Sequence, residues 1–223
     1  MTRIALASLF VLVASCAPPD RAPLYRATFE DVCEGTPCGW TQVAGPEGAA
    51  IFVLESEAQV RERGVEPLAR LAGYGTSSDA GDLLRPDADG AAAAMRLALA
   101  NAGVSRDAID YVNAHGTGTV LNDMTETVAI KSVFGQRARS MPVTSTKPVH
   151  GHALGAAGAL ELAVTISALR EGCVPPTLNW LDADPACDLD VVPNAGRACE
   201  IGYALSNSFA FGGINACVLV GRA

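Results

Sequence analysis

The chain is poor in aromatic residues and in basic residues. Only 5% of its 223 residues are Phe, Trp or Tyr while 49% are apolar, so one sizeable core has to be built from small and aliphatic side chains, which suits layered packing of helices on sheets. Lysine and arginine number 16 against 24 acidic residues, which gives a formal net charge of −8. Because no long cluster of basic residues occurs, the composition argues against a nucleic-acid-binding surface.

Metal-binding cysteine patterns are also missing. The seven cysteines form no Cys-x-x-Cys pair and no cysteine–histidine spacing typical of zinc sites. We therefore expect no bound metal. Internal repeats and low-complexity tracts do not occur either, and a single domain with an appendage is expected.

The first 45 residues differ in character from the rest. Arg3 precedes an uncharged apolar run that ends in "VASC" at Cys16, a pattern typical of a bacterial lipoprotein signal whose cysteine is lipidated after cleavage. We interpret residues 1–16 as a lipoprotein-type signal segment, with a buried N-terminal helix or strand as the alternative. Residues 17–45 are rich in Pro, Gly and Cys, and we interpret them as an irregular linker or a fragment of a foreign module.

Strand and helix patterns alternate from residue 46 onwards, which predicts an α/β fold. The stretch "AAAAMRLALANAG" combines strong helix formers with a stop at Gly103. The stretch "HALGAAGALELAVTISALREG" is apolar on nearly every side apart from Glu161, which predicts a helix buried between layers. Another helix is predicted to begin at Asn122 or Asp123. The final "YALSNSFAFGGINACVLVGR" predicts two strands joined by a glycine turn.

All three histidines lie in two glycine-rich segments that each follow a predicted strand. His115 stands in "YVNAHGTGT" and His152 in "KPVHGHALG", and strand ends are where α/β proteins place reactive groups. Two neutral imidazoles facing one cavity can hold the oxygen of an enolate or of a tetrahedral intermediate. We expect the N-terminal dipole of the buried helix to keep His152 neutral, and Lys147 to add positive charge to the same loop. His150 lacks such framing, and we interpret it as incidental.

Other polar residues of these segments have a structural and a functional interpretation. The histidines themselves can be ordinary hydrogen-bonded loop residues. Asp123 and Glu126 lie near a predicted helix start, where carboxylates are favoured whether or not they take part in catalysis. Thr117 and Thr119 supply hydroxyl groups that can hydrogen-bond to an amide-bearing ligand.

Several sequence blocks in a fixed order identify a family. The blocks "VNAHGTGT", "STKPVHGHALGAAG", "PPTLN" and "LSNSFAFGG" resemble the C-terminal half of the β-ketoacyl-acyl-carrier-protein synthases, or condensing enzymes. The resemblance implies a thiolase-like α/β fold, of which residues 46–223 are essentially the C-terminal half plus the last strands of the N-terminal half. It also implies decarboxylative Claisen condensation of an acyl thioester with malonyl-acyl-carrier protein, in fatty acid or polyketide biosynthesis.

The resemblance implies a catalytic role for five residues. His115 and His152 would be the paired histidines that stabilise the enolate formed from the malonyl thioester and assist decarboxylation. Lys147 would be the accompanying lysine, and Glu126 with Asp123 would form the acidic support of its network.

The resemblance also implies how substrates are held. Thr117 and Thr119 look like the hydroxyls that contact the phosphopantetheine arm, and Phe211 looks like the aromatic gate beside the acyl pocket, with Phe209 nearby. No cofactor is expected to be bound, because the substrates are carried on the 4′-phosphopantetheine of an acyl carrier protein, which is the implied partner.

Two departures from the family pattern limit these expectations. The family's nucleophilic cysteine lies on a strand-to-helix turn of the first half, and this chain has no such segment. Cys16 is the nearest match in composition, but Pro18 and Pro19 forbid the helix whose N-terminus would activate its thiol. In the gate loop, Ala210 stands where the family usually has glycine. We therefore expect an incomplete synthase whose nucleophile comes from elsewhere.

Three hypotheses stay open from the sequence. In the first, the chain is a condensing-enzyme half that works with a complementing synthase half or a homologous subunit. In the second, it has no activity and is either a partner resembling chain-length factors or a truncated fusion product. In the third, it is a lipoprotein identified by its N-terminus. A synthase acts in the cytoplasm, whereas the lipobox-like signal predicts bacterial export and lipid anchoring.

Overall fold

The computed structural model describes residues 2–6 and 52–223, the first of these ranges by its backbone alone. The predicted linker at 17–45, Cys16 and most of the predicted signal segment lie outside the described residues. The signal segment and the linker therefore stay predictions.

The described residues form strands and helices in alternation, as the sequence pattern predicts. In chain order they are β1 (Thr2–Leu6), β2 (Phe52–Ser56), α1 (Glu57–Arg63), β3 (Ala69–Ser78), α2 (Ala88–Ala102), β4 (Tyr111–Asn113), α3 (Val120–Phe134), β5 (Val143–Thr144), α4 (Lys147–His150), α5 (Ala157–Glu171), β6 (Cys173–Val174), β7 (Arg197–Ala198), β8 (Tyr203–Ala210) and β9 (Ile214–Gly221). Short 3₁₀ turns cover Arg106–Ala108, Gly135–Arg139 and Leu154–Ala156.

Seven of the described strands form one mixed sheet in the order β2-β1-β3-β9-β8-β4-β5, and β6 pairs with β7 in a small separate ribbon. Strand β4 runs parallel to both β5 and β8, while the other neighbours in the large sheet are antiparallel. The carboxyl ends of β4, β5 and β8 therefore meet at one edge of the sheet.

Helices cover both faces of this sheet. Successive side chains of a strand point to opposite faces, so Val112 of β4 and Leu205 of β8 pack in a core with α2 and α3. Tyr111 and Ala204, their neighbours in sequence, pack instead in a second core with α5. Because helices cover both faces of the sheet, its central strands are buried on both sides.

Local sequence signals explain where several elements begin and end. Ser56 and Gln59 form a capping box at the start of α1, and Gly103 ends α2 in the left-handed conformation. The turn between β8 and β9 contains Gly212 and Gly213, both with positive φ, which glycine adopts without steric cost. These observations confirm the predicted alanine-rich helix and the predicted C-terminal hairpin.

Two predicted helix starts were wrong. Helix α3 begins at Val120 with Thr119 at its N-cap, and Asp123 lies within the first turn, where its backbone N–H donates to the Thr119 carbonyl at 3.0 Å. Helix α5 begins at Ala157, after the 3₁₀ turn. The tighter turn adds a short segment before the α-helix proper, and His152 therefore lies ahead of the helix rather than at its first residue.

Strand β3 and helix α2 approach each other at glycine positions. A Cβ added to Gly75 would lie 2.2 Å from the Ala94 carbonyl oxygen, and one added to Gly73 would lie 2.6 Å from that of Ala98. Both obstacles belong to helix backbone, which cannot move aside as a flexible side chain does.

We expect Gly75→Ala to lower the free energy of unfolding by about 3 kcal/mol, since overpacking against backbone strains a well-packed core. Urea denaturation followed by circular dichroism measures this change. Gly81→Ala is the matched control, because a Cβ there would meet only a carbonyl oxygen at 3.9 Å. Equal effects of the two substitutions would contradict the close approach of α2 to β3.

Candidate active site

The predicted site residues gather at the sheet edge where β4, β5 and β8 end. His115 follows β4, and Lys147 follows β5 and begins α4. Phe209 is the penultimate residue of β8. The parallel pairing of Asn113 with Thr144 and with Ser206 fixes the register of these three strand ends. The sheet therefore brings together residues that are far apart in the sequence.

His115 and His152 form a contact pair. Their ring centroids are 5.6 Å apart and the ring planes are inclined by 84°. His115 is buried, with 7% of its surface exposed, whereas His152 is exposed. The His115 ring of this pair is therefore buried in the protein, and the His152 ring is accessible to solvent.

Hydrogen bonding assigns the same tautomer to both rings. The Lys147 ammonium, which can only donate, lies 3.5 Å from Nδ1 of His115, so this nitrogen carries no proton. Nδ1 of His152 accepts a hydrogen bond from the Leu154 backbone N–H at 3.2 Å. In the neutral rings, the proton of each imidazole is therefore on Nε2.

Burial and a nearby cation keep the histidines neutral. Burial is the largest cause that lowers the pKa of His115 to about 3, and the charges of Lys147 and His152 lower it further. Burial and Lys147 also lower the pKa of His152. The predicted cause, the N-terminus of the following helix, was wrong for His152, because α5 begins five residues later at Ala157.

Lys147 is buried and contacts Glu161 directly. Its ammonium forms an ion pair with the Glu161 carboxylate and donates to the His115 backbone carbonyl. Burial raises the pKa of Glu161 to about 7, while Lys147 opposes this rise. Glu126 and Asp123 were the expected acidic support of the lysine, and Glu161 was not predicted. The available signal was the single carboxylate in an otherwise apolar buried helix.

Glu126 instead supports the backbone of the His115 loop. Its two carboxylate oxygens accept hydrogen bonds from the backbone N–H groups of His115, at 3.0 Å, and Gly116, at 2.9 Å. The side-chain amide of Asn207 donates to the same carboxylate at 3.1 Å, and the Cys217 thiol donates to the amide oxygen of Asn207 at 3.1 Å. Burial raises the pKa of Glu126, and these three N–H donors oppose the rise. Sequence reasoning also missed Asn207.

Asp123 is half-buried and contacts the same loop. It accepts a hydrogen bond from the Gly118 backbone N–H at 3.3 Å and another from the Asn122 side chain at 3.1 Å. The hydroxyls of Thr117 and Thr119 lie 3.0 Å apart. These contacts hold the glycine-rich loop in shape but place Asp123 apart from the Lys147 ion pair, in contrast with the expected network.

The two phenylalanines differ in position. The ring of Phe209 is 5.8 Å from that of His115 and is buried. Phe211 is 76% exposed and lies beyond β8, in the turn to β9. Ala210 pairs with Ile214 in regular sheet geometry and is not among the described residues with positive φ, so alanine fits this position without strain.

His150 makes only local contacts. One ring nitrogen is 3.1 Å from the Thr146 hydroxyl and the other is 2.8 Å from the Gly151 carbonyl oxygen. This arrangement agrees with its interpretation as incidental.

A cavity of about 350 Å³ opens beside the histidine pair. It lies between α3, the ends of β4 and β5, and the segment of residues 187–191. Its lining includes Lys147 and His152 as well as the apolar side chains of Ile130, Val143 and Leu189.

The free cysteine thiols in the described part of the chain are not activated. Burial raises the pKa of Cys187, of Cys199 and, most strongly, of Cys217. A nucleophilic cysteine needs a lowered pKa, and so none of these three thiols fits that role. Cys16 lies outside the described residues.

Within residues 2–6 and 52–223, no group of three or more His, Cys, Asp or Glu residues is arranged to hold a metal ion. No helix in the same ranges has the length and apolar character needed to span a bilayer.

Comparisons with known proteins agree on one family. Residues 68–181 match the family described as beta-ketoacyl synthase, C-terminal domain. The chain is 48% identical over 191 residues to Nodulation protein E of Rhizobium meliloti, covering 86% of this chain and 48% of that protein. It is 43% identical over 178 residues to 3-oxoacyl-[acyl-carrier-protein] synthase 2 of Coxiella burnetii, covering 79% of this chain and 43% of that protein.

Solved structures agree with the fold. The chain superposes on the ishigamide ketosynthase/chain length factor with a TM-score of 0.77 and 42% identity, covering 79% of this chain and 43% of the other. This confirms the predicted thiolase-like α/β fold. The chain spans about half the length of the curated relatives it matches.

We expect the His115 ring to stay neutral between pH 7 and pH 4, because its pKa is lowered from 6.5 to about 3. Since the unfolded ring takes up a proton near 6.5 and the folded ring does not, this site alone favours unfolding as the pH falls between those two values. Titration of the histidine ring signals by NMR measures the pKa directly. A midpoint near 6.5 for His115 in the folded protein would show that Lys147 and burial do not act as described.

We expect Glu126→Gln to lower the free energy of unfolding by about 2 kcal/mol, because hydrogen bonds to a charged acceptor are worth roughly 1.5–3 kcal/mol and a side-chain NH₂ group would face a backbone N–H. Thermal and urea denaturation measure the loss. Asp123→Asn is the matched control and should cost less than about 1 kcal/mol, because Asp123 is only half-buried in the first turn of α3 and an amide oxygen there can still accept the Gly118 hydrogen bond. A larger loss from Asp123→Asn than from Glu126→Gln would reverse the assignment.

Proposed function

This chain belongs to the β-ketoacyl synthase family, and on that premise we propose that it supplies the enolate-stabilising half of a decarboxylative condensation. The substrate would be a malonyl thioester carried by the 4′-phosphopantetheine of an acyl carrier protein. The observation that carries this proposal is a pair of neutral imidazoles whose ring centroids are 5.6 Å apart. In each ring the protein contacts Nδ1, which leaves the Nε2–H group to bind a substrate oxygen.

The chemistry follows from where negative charge develops. When the malonyl group loses CO₂, the electron pair of the breaking carbon–carbon bond moves to C2 and is shared with the thioester oxygen as an enolate. Two hydrogen-bond donors fixed at that oxygen stabilise the enolate more than the starting thioester, which lowers the barrier. The enolate carbon then attacks the carbonyl of an acyl thioester, and the thiolate that carried the acyl group leaves.

Neutral rings suit this task. An imidazolium would transfer its proton to the enolate oxygen or carbon and quench the nucleophile, whereas a neutral Nε2–H donates a hydrogen bond and keeps its proton. The lowered pKa of His115, about 3, keeps that ring neutral at neutral pH. Lys147 would contribute positive potential at the same oxygen.

The loops around the histidines would guide the substrate. Thr117 and Thr119, whose hydroxyls lie 3.0 Å apart, would hydrogen-bond the amides of the phosphopantetheine arm. Phe209 would pack against the acyl chain next to His115, and the exposed Phe211 would act as the gate at the entrance. Glu126 and Asp123 would hold the loop that carries His115.

The acyl-carrying thiol would come from another polypeptide. The free thiols of the described residues have raised rather than lowered pKa values, and a relative is described as a ketosynthase/chain length factor pair. A complementing synthase half or a homologous subunit would therefore place a cysteine opposite the imidazole pair. As a synthase, the protein would act in the cytoplasm. Processing of the lipobox-like N-terminus as a signal would instead export the protein and anchor it to a membrane.

A second candidate function is that of a non-catalytic partner, similar to a chain length factor, or of a truncated fusion product without activity. The absence of an activated thiol among the described residues favours it. The intact ion pair under His115 favours the first candidate, because a buried Lys–Glu pair is costly to keep without use.

We expect the purified chain to decarboxylate a malonyl thioester such as malonyl-N-acetylcysteamine slowly, and His115→Ala and His152→Ala each to reduce that rate by about 10²-fold, the cost of one lost oxyanion donor. The measurement is the release of CO₂ and the formation of the acetyl thioester. His150→Ala is the matched control and should leave the rate unchanged. Equal rates in all three variants would remove the imidazole pair from the mechanism.

We also expect no β-ketoacyl product when the chain alone is given an acyl thioester and a malonyl thioester, because none of the free thiols among residues 52–223 is activated to accept the acyl group. Product analysis by mass spectrometry decides this. A β-ketoacyl product from the chain alone that disappears in His115→Ala would show that the chain carries its own nucleophile.

A further inference from the structure

We infer that Asn207 and Cys217 are a pair of positioning residues, which keep Glu126 ionised and thereby hold the loop that carries His115. The inference rests on the proposed function and adds two residues of the C-terminal hairpin to it. The observation behind it is a chain of hydrogen bonds that runs from β9 through β8 and α3 to the loop after β4.

Cys217 and Asn207 face each other across the C-terminal hairpin. The antiparallel register pairs Asn207 of β8 directly with Cys217 of β9, and directly opposed side chains lie on the same face of a sheet. Asn207 is completely buried and Cys217 is 1% exposed. Their polar groups therefore have to find hydrogen-bond partners within the protein.

The orientation of the Asn207 amide decides which of its ends Glu126 meets. The NH₂ group donates to the Glu126 carboxylate at 3.1 Å and lies 3.6 Å from the Met95 sulfur, while the amide oxygen accepts from the Cys217 thiol at 3.1 Å. A half-turn of the amide would exchange its two ends and bring the oxygen against the carboxyl group. Because oxygen and NH₂ are nearly the same size, hydrogen bonds rather than packing select the orientation.

The thiol selects this orientation in both charge states of Glu126. An ionised carboxylate can only accept and so favours the NH₂ end, but a protonated carboxyl group can also donate to an amide oxygen. Glu126 by itself would therefore lose its hold on the amide when it takes up a proton. Cys217 engages the amide oxygen and keeps the NH₂ group on Glu126 in either case.

This fixed orientation disfavours protonation of Glu126. Its Oε1 accepts from Asn207 and from the His115 backbone N–H, and its Oε2 accepts from the Gly116 backbone N–H. A proton added to either oxygen would face an N–H group instead of an acceptor. Hydrogen bonds of this kind favour the charged form of a carboxyl group, and only the charged form accepts fully from both backbone groups of the His115 loop.

The Cys217 thiol stays a donor because it keeps its proton. Burial is the main cause that raises the pKa of Cys217 well above its ordinary value, and the charge of Glu126 raises it further. The same surroundings that exclude Cys217 as a nucleophile thus make it a permanent hydrogen-bond donor.

Other charged groups near Glu126 do not orient the amide. The positive charge of Lys147 favours the ionised form of Glu126, and Glu161 of α5 is coupled to Glu126 by repulsion. Both act through space on the charge of the carboxylate, whereas the amide has its hydrogen bonds with Glu126, Met95 and Cys217.

The test measures the pKa of Glu126 in the full chain by NMR of isotope-labelled glutamate carboxyl groups, with Glu126→Gln to assign the signal. We expect Cys217→Ala to free the amide and to raise the proton affinity of Glu126 about tenfold, roughly the effect of one hydrogen bond to a charged group. Cys217→Ser keeps a hydroxyl donor and should restore the wild-type value. An unchanged pKa in Cys217→Ala, or the same rise in Cys217→Ser, would overturn the inference.

Leu219→Val is the matched control for a loss of packing. Leu219 lies on β9, is completely buried and belongs to the same core as Cys217. The substitution should lower the stability of the fold but leave the pKa of Glu126 unchanged. A rise equal to that in Cys217→Ala would show that loosening of the core, and not the thiol, controls Glu126.

A double-mutant cycle tests whether Cys217 acts through Asn207. Asn207→Leu removes the amide and should itself raise the pKa of Glu126, and adding Cys217→Ala should then raise it no further. An equal rise from Cys217→Ala with and without Asn207 would mean that the thiol acts on Glu126 directly, contrary to the inference. If Asn207→Leu does not fold, the comparison of Cys217→Ala with Cys217→Ser decides the matter.

The pH profile of malonyl thioester decarboxylation separates this inference from the proposed function. The rate should fall on the acid side as Glu126 takes up its proton, and Cys217→Ala should move this fall to higher pH while Cys217→Ser does not. A Glu126 pKa that responds to Cys217 without histidine-dependent decarboxylation supports the pair and removes the proposed reaction. Histidine-dependent decarboxylation with a Glu126 pKa that ignores Cys217 overturns the pair alone.

Discussion

The site depends on one buried ammonium. Lys147 lies between the His115 carbonyl and the Glu161 carboxylate, and both of these partners are themselves buried. A charge removed from water to this extent is tolerated only with a partner of opposite sign and with its hydrogen bonds satisfied. The pair ties the loop after β4 to helix α5 across the sheet edge. It also fixes the His115 tautomer, because a cation beside Nδ1 leaves the proton on Nε2.

The second buried carboxylate of the site, Glu126, is stabilised by N–H donors instead of by a cation. Glu126 is fully buried as well, and one lysine cannot neutralise two carboxylates. Three N–H groups, from His115, Gly116 and Asn207, bind Glu126 and take the place of a cation. Lys147 is thereby left to Glu161. The loop that carries His115 is consequently held from below by an ammonium and from the side by a carboxylate, and the ring between these supports has little freedom to turn.

The predictable parts of the fold are those set by local sequence. The alanine-rich α2 ends at Gly103 and the last two strands turn at Gly212 and Gly213, because glycine is the residue that adopts positive φ easily. The position of His115 after β4 could be predicted from local sequence as well, whereas helix α4 stands between β5 and His152. The pairing of β1 with β2 and β3 could not be predicted. An uninterrupted apolar run at the N-terminus has the same hydrophobic pattern whether it forms a strand or a signal segment.

The partners of the site residues lie beyond local sequence. Glu161 reaches Lys147 from the middle of α5, and Asn207 reaches Glu126 from β8, over separations of 14 and 81 residues. The family resemblance implied Asp123 instead, whose carboxylate accepts a hydrogen bond from the Gly118 backbone in the loop. A lone carboxylate in an apolar helix was the one sequence sign of the true partner, since such a group has to find a cation or a set of donors when it is buried.

In the proposed reaction, one positive potential serves both the hydrogen-bond donors and the nucleophile. The two imidazoles have to stay neutral, and the positive potential of Lys147 helps to keep them so by lowering the pKa of both. A thiol nucleophile needs the reverse outcome from such a potential, because a positive environment favours its charged form. A cysteine approaching the exposed side of His152 would therefore meet the same field that keeps the rings neutral and would lose its proton more readily. One buried cation would thus suit both halves of the proposed reaction, including a thiol supplied by another chain.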